Sequence, residues 1–169
     1  MPLPRQFSYR KMLEALAGAG ADFVVINGVC AVTHGAPITT FDLDVLYAVN
    51  ATNIDRILAV LSDLEAYNRE PGSRQLAPKR AVLERGGPAL FMTKFGALDF
   101  LGDLSGTPLE ALQEADIEHR QIHDHLTVRV LALNTLIAVK TAAGRAKDLA
   151  VLPILRQTLE ILRERNSGP

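Results

Sequence analysis

The sequence predicts an α/β (α+β) fold: one mixed β-sheet flanked by helices, with a helical segment at the C-terminal end. Two patterns carry this reading. Short β-branched, apolar runs such as FVVI (residues 23–26) and LDVLYAV (residues 43–49) have the length and bounds of buried strands. Between and around them, apolar residues recur at helical spacing, as in Met12, Leu13 and Leu16 and again in Ile54, Ile57, Leu58 and Leu61.

Taken in order, residues 8–19 form a first helix closed by Gly18 and Gly20. FVVI follows, bounded by Asp22 and by Asn27-Gly28, and VCAVTH (residues 29–34) reads as a short helix stopped by Gly35, Ala36 and Pro37. After the second strand, Asn50, Thr52 and Asn53 are all side chains able to cap the helix that contains Ile54–Leu61. The stretch from Tyr67 to Lys79, with Pro71, Gly72, Ser73 and Pro78, reads as a surface loop. AVLER, ALFMTKF and ALDFLGDL then suggest hairpins and a further strand, separated by Gly86-Gly87-Pro88 and by Gly96. Residues 107–115 read as a short helix begun by Thr107 and Pro108, and HLTVRVLAL as a strand. The remainder is helical in two pieces, broken near Gly144 and bent at Pro153. A chain of 169 residues fits one domain, 1–169, with a core over about 10–131 and C-terminal helices over 133–165.

Charge excludes one class of function. Lysine and arginine number 18 against 19 acidic residues, a formal net charge of -1 and far from the basic excess of a general nucleic-acid binder. One cysteine, Cys30, allows no intrachain disulfide. The segment MPLPRQFSYRKML has no apolar core of the kind a secretion signal needs, and no apolar run is long enough to span a bilayer. The expected location is the cytoplasm, with no membrane partner.

The segment TTFDLDVLY (residues 39–47) is the most informative. On a strand, Asp42 and Asp44 leave the same face. Two carboxylates side by side repel unless a positive charge sits between them, which a hard cation such as Mg²⁺ or Mn²⁺ supplies. Asp99 stands in another apolar run, ALDFL, where a lone charge is costly; a neighbouring strand would bring it beside the pair and complete a three-carboxylate site. The plainer alternative is that the aspartates only cap a polar turn. Against it stands the turn before them: FVVI runs through Asn27 and Gly28 directly into a helix, where glycine permits close backbone approach to an anion such as a phosphate.

These residues together resemble the minimal nucleotidyltransferase-like family of bacteria and archaea (MNT/AbiEii-like), part of the DNA polymerase beta superfamily. The resemblance rests on VVINGVCAVTHG (residues 24–35), T-x-D-x-D (residues 40–44), the later Asp99, and LIAVKTAAGRAKDL (residues 136–149), from about residue 10 to residue 155. It implies the nucleotidyltransferase-like fold and transfer of an NMP group from an NTP, with ATP the expected nucleotide, to a hydroxyl on a protein, an RNA or a small molecule. Asp42 and Asp44 would hold the metal that clamps the phosphates; with Asp99, the expected general base, they would hold a second. Asn27 and Gly28 would sit against the outer phosphates, and Lys140, Arg145 and Lys147 would form a basic rim for nucleotide or acceptor. Lys140 to Asp148 reads equally as a structural network. Three positions depart from the family pattern: Asn27 replaces its first glycine, Ile38 an arginine and Val151 an aspartate. The alternative they motivate is a catalytically inactive binding or regulatory module, related to toxin–antitoxin pairs, working as a homodimer or with a partner protein.

Other side chains have simpler readings. His119, His123 and His125 suggest a hairpin with exposed histidines rather than a zinc site, since no fourth ligand is evident. His34, Cys30, Phe91, Phe95 and Phe100 read as packing residues. Leu152, Leu155, Leu159 and Leu162 form a stripe that buries against the domain or against a second subunit.

Overall fold

In the computed structural model, which describes residues 6–69 and 75–168, a seven-stranded mixed sheet runs through the molecule in the order β3-β4-β5-β2-β1-β9-β8. Its strands are β1 (Phe23–Ile26), β2 (Asp42–Tyr47), β3 (Tyr67–Asn68), β4 (Ala89–Thr93), β5 (Gly96–Leu101), β8 (Ile117–His123) and β9 (Leu126–Leu131); β6 (Asp103–Leu104) and β7 (Thr107–Pro108) form a small separate hairpin. β1 pairs antiparallel with β2, whereas β2 with β5 and β1 with β9 are parallel. The helices are α1 (Tyr9–Gly18), α2 (Asn27–Thr33), α3 (Ala51–Asp63), α4 (Arg80–Glu84), α5 (Leu133–Ala143) and α6 (Ala146–Asn166).

Local chemistry explains most boundaries. Ser8 Oγ accepts from the Lys11 amide and Asn50 Oδ1 from the Asn53 amide, so α1 and α3 each begin at a side chain that satisfies a free N–H. α5 ends where Gly144 takes the left-handed conformation (φ 62°) and its amide bonds the Lys140 carbonyl. Met12, Leu13 and Leu16 of α1 and Ile54, Ile57 and Leu61 of α3 are buried, as their spacing predicts.

The two sheet faces differ. Leu43, Val45 and Tyr47 of β2, Leu98 and Phe100 of β5, and Phe91 of β4 share one face and are fully buried. Tyr47 and Phe91 each meet the Phe100 ring edge-on, at centroid distances of 5.7 and 5.9 Å. α1 covers this face, with Thr93 Oγ1 3.5 Å from Met12 Sδ. The other face carries Asp42, Asp44 and Asp99 and is open over β4, where Leu90 is exposed. α6 lies along α5 and buries Leu152 and Leu155, with Leu159 and Leu162 packed against the same core, so that stripe is turned to the domain itself.

Three segments differ from their sequence reading. AVLER belongs to a helix, α4, because its Leu83 is buried under Tyr47, whose hydroxyl donates to the Leu83 carbonyl at 2.6 Å. Thr107 and Pro108 pair with β6 instead of opening a helix; short 3-10 turns follow at Leu109–Ala111 and Glu114–Asp116. The supposed loop from Tyr67 begins as edge strand β3, since the Tyr67 and Asn68 backbone completes the ladder of β4; residues 70–74 of that loop lie outside the described residues. No described helix is long and apolar enough to cross a membrane.

The loop after α4 is clamped to the end of β5. The Gly102 amide donates to the Gly86 carbonyl at 3.0 Å, and a Cβ at Gly102 would lie 2.2 Å from that oxygen. The obstruction is backbone, which cannot rotate aside. Gly102→Ala is therefore expected to cost about 1–3 kcal/mol. A lower denaturant midpoint at unchanged slope would register it, and an unshifted midpoint would show that the clamp is loose.

Candidate active site

β2 and β5 are parallel neighbours in register Asp42↔Ala97, Asp44↔Asp99, which places Asp44 and Asp99 side by side on one face with Asp42 one row away. Ala97, opposite Asp42, leaves room beside it. One oxygen from each of Asp42, Asp44 and Asp99 lies within 4.8 Å of the others. Among the described residues this is the only group of three such ligands; His119, His123 and His125 do not form one and sit on the hairpin of β8 and β9. The sequence-based expectation of one three-carboxylate cluster thus matches the geometry.

Each carboxylate is held by a neighbour. Asn27 Nδ2 donates to Asp44 Oδ2 at 2.8 Å. Thr40 Oγ1 lies 3.2 Å from the Asp42 carbonyl and 3.3 Å from Asp42 Oδ1, with one proton to give. Asp99 faces the guanidinium of Arg69: Nη2 donates to Oδ2 at 3.0 Å, and Nη1 lies 2.8 Å from Oδ1 but out of line, so this second contact is an ion pair without a directed hydrogen bond. Asp44 Oδ1 and Asp99 Oδ1 are buried and have no hydrogen-bond donor. Asp44 Oδ1, with no partner, and Asp99 Oδ1, met only by an ill-aligned guanidinium, converge with a third carboxylate as the donor set that a hard divalent ion takes. The residues present fit such an ion.

Asn27 and Gly28 do more local work than their sequence context suggests. Asn27 has φ 57°, a left-handed conformation that asparagine tolerates and that turns β1 sharply into α2. Its side chain is thereby aimed at Asp44. A Cβ on Gly28 would meet Thr40 Oγ1 at 2.6 Å, so the space freed by this glycine is filled by the threonine that touches Asp42.

The basic residues of the C-terminal helices divide. Arg145 Nε donates to Asp148 Oδ2 at 2.6 Å and Lys140 Nζ lies 3.3 Å from Oδ1, so both are tied into the structural network; Asp148 is covered by them, with its side chain 2% exposed. Burial would raise the Asp148 pKa, but hydrogen bonds from Arg145 and Lys140 prevail and lower it. Lys140 and Arg145 also line a cleft of about 340 Å³ that begins at Asn27 and passes the Gly86-Gly87-Pro88 loop and Gly102–Ser105. Lys140 and Arg145 face Asp148 on one side of this cleft, and Asp103 lines the other, so its charged side chains are two of each sign. Lys147 is exposed and lies off the cleft. Asp103 caps its own hairpin by accepting from the Gly106 amide at 2.8 Å.

Arg69 was not legible as a site residue, because its segment reads as loop and nothing in the sequence links it to Asp99. Phe41, beside Asp42, is 73% exposed. His34 is buried away from the carboxylates: a carbonyl only accepts and arginine only donates, so its Nε2–H donates to the Leu131 carbonyl at 2.8 Å and its Nδ1 accepts from Arg120 at 3.0 Å. Burial lowers its pKa and keeps it neutral. Burial also pushes the Cys30 thiol up to about 12, and its Sγ donates to the same carbonyl, so it is an inert packing group.

No protein-family model matches the chain, and no curated protein matches it at a significant level. Solved structures do. The antibiotic-resistance factor ANT(2'')-Ia in solution aligns with a TM-score of 0.57 at 11% identity, over 93% of this chain and 88% of that one. ANT(2'')-Ia in complex with adenylyl-2''-tobramycin aligns at 0.56 and 12% identity over 93% of both chains. A nucleotidyltransferase candidate from Thermotoga maritima aligns at 0.55 and 15% identity over 90% of both. The fold is nucleotidyltransferase-like. It is the fold that the sequence resemblance implied, down to one mixed sheet flanked by helices.

Burial, with Asp42 and Asp99 nearby, pushes the Asp44 carboxyl from 3.8 up to about 7, against the hydrogen bond from Asn27. Burial raises Asp99 as well, restrained by Arg69, so the proton that leaves near neutrality belongs to the Asp44–Asp99 pair. The folded state then holds more protons than the unfolded one between these values, and stability falls as pH rises through that window. Metal-free protein is expected to lose thermal stability between about pH 4 and pH 7, and Asp44→Asn to flatten that loss. Mg²⁺ or Mn²⁺ should stabilise most at the alkaline end, where the carboxylates are ionised. Melting curves in chelator and in metal check this; an unchanged slope in Asp44→Asn would rule it out.

Proposed function

We propose that this chain is a metal-dependent nucleotidyltransferase of the minimal, MNT/AbiEii-like kind. Residues 1–169 act as one domain that moves an NMP group from an NTP, with ATP the expected nucleotide, to a hydroxyl acceptor. The observation that carries the reading is the convergence of Asp42, Asp44 and Asp99, with two donor-less oxygens, in a fold of this class.

Asp42, Asp44 and Asp99 would hold Mg²⁺ or Mn²⁺. When bound, such an ion neutralises phosphate charge and lowers the pKa of an attacking hydroxyl. The chain supplies the rest. Asn27 fixes Asp44 through Oδ2 and leaves Oδ1 directed at the cluster. Thr40 steadies Asp42. The triphosphate lies in the cleft that starts at Asn27, near the Asn27 and Gly28 amides, with Lys140 and Arg145 on its wall. Asp99 Oδ1 takes the proton of the acceptor hydroxyl; the acceptor oxygen bonds to the α-phosphorus as the bond to the β-phosphate bridge breaks, and pyrophosphate leaves. Acceptors of three classes suit this chemistry: a protein hydroxyl, an RNA end or a small hydroxylated molecule. The last has the support of ANT(2'')-Ia, which shares the fold and is seen with adenylyl-2''-tobramycin.

A second reading has its own observation. Arg69 already neutralises Asp99, so a domain that kept the fold without catalysis would remain stable with no metal. Such a module would act through a partner or a second copy, for which Leu149 and Ile161 stand exposed on α6. A stable captured partner together with no nucleotide affinity would favour it.

Incubation with Mg²⁺ or Mn²⁺ and each labelled triphosphate, with release of pyrophosphate as readout, is the direct trial. Asp42→Asn is expected to lower transfer by roughly two orders of magnitude or more with the fold intact. Absence of both metal-dependent binding and turnover with every triphosphate would defeat the proposal. Lys140→Gln is expected to raise the KM for triphosphate with a smaller effect on kcat, because its charge acts on the bound anion. Steady-state kinetics checks this, and an unchanged KM would move the triphosphate away from this cleft.

A further inference from the structure

Arg69, just past the end of β3, continues a row formed by Leu90, Asp99 and Asp44 on β4, β5 and β2: Leu90 pairs with Asp99, Asp99 with Asp44, and the Arg69 amide donates to the Leu90 carbonyl at 2.9 Å. Paired residues on neighbouring strands project to the same face, so the arginine side chain crosses over Leu90 to reach Asp99. It is held at both ends. Besides its contacts of 2.8 and 3.0 Å to Asp99, its Nη1 donates to the Phe91 carbonyl at 3.3 Å. The Asp99 side chain is 10% exposed, so little water competes for this pair.

Charge decides how many ions such a site accepts. Three carboxylates against one guanidinium leave two formal negative charges, which one divalent ion balances. A second divalent ion would leave an excess of two positive charges and would lie against a guanidinium in a half-buried place, where repulsion is weakly screened. It would also need the Asp99 oxygens that Arg69 engages. Asp42 and Asp44 face no cation of the chain within ion-pair distance among the described residues, and Asp44 Oδ1 is without a donor.

We infer that Arg69 stands in for a second cation: the site takes one divalent ion, between Asp42 and Asp44, and the guanidinium holds the position at Asp99. This rests on the metal-binding reading above and narrows it. Arg69 is thus a positioning residue that keeps Asp99 oriented and sets the metal count.

Titration of the metal-free 169-residue chain with Mn²⁺ alone, following free Mn²⁺ by electron paramagnetic resonance, tests it. The wild-type chain is expected to bind one ion. Arg69→Gln removes the charge and should bind two, whereas Arg69→Lys keeps a cation and should stay at one. Two ions on the wild-type chain, or one on a folded Arg69→Gln variant, overturn the inference. Should R69Q fail to fold, which circular dichroism would show, Arg69→Met removes the same charge with a side chain of similar reach, and one ion on that folded variant overturns the inference equally. No Mn²⁺ bound by the wild-type chain overturns the metal reading too, and so is distinct from a count of two, which overturns only the role of Arg69.

Discussion

Repulsion between Asp44 and Asp99 is the constraint around which this molecule is arranged. Parallel pairing of β2 with β5 sets the two carboxylates directly abreast, and Asp42 stands a row away on the same face. Left alone, such a group would lower the stability of the sheet that carries it. Each neighbour answers part of that cost: Asn27 donates to Asp44, Thr40 to Asp42, and Arg69 sets a full positive charge against Asp99. What remains without any partner is Asp44 Oδ1, while Asp99 Oδ1 has the Arg69 charge beside it but no directed hydrogen bond. The residual negative charge is the feature on which the proposed cation site rests.

The unequal faces of the sheet follow from the same need. The face with Leu43, Val45, Leu98 and Phe100 is closed under α1 and carries the main apolar burial, the dominant favourable term in folding. That rigid side fixes β2 and β5 against each other, so the carboxylates on the opposite side keep their separation without a ligand. On the open face, α2 and α5 bound a cleft whose one end is Asn27 and whose far wall holds Lys140 and Arg145 around Asp148. The network around Asp148 therefore does two things: it ties α6 to α5, and it places Lys140 and Arg145 on the cleft wall.

The positions that depart from the pattern the sequence resembles have different physical weights. Asn27 in place of glycine costs little, since asparagine accepts the left-handed backbone, and it adds a hydrogen bond to Asp44 that glycine cannot make. Ile38 is partly buried and packs on the core, so no cation is supplied from that position. Arg69, one residue beyond β3, brings one to Asp99 instead. The positive charge near the carboxylates has in this sense a different origin, with different consequences for how many ions the cluster can accept.

Sequence alone determined what local rules govern. Periods of two and of 3.6 residues marked β1, β2 and α1 within a residue or two and α3 within three, and the pairing of Asp42 with Asp44 on one face follows from strand geometry alone. Asp99 was legible because a lone carboxylate in an apolar run demands a partner. Short segments with mixed patterns misled: AVLER folds as α4 because Leu83 is buried beneath Tyr47, and Tyr67–Asn68 joins the sheet because β4 has a free edge to offer. Only tertiary structure brought Arg69 to Asp99, thirty residues away, and put Thr40 in the space that Gly28 leaves. Such contacts depend on strand order and register, which long-range packing selects and no short window of residues encodes.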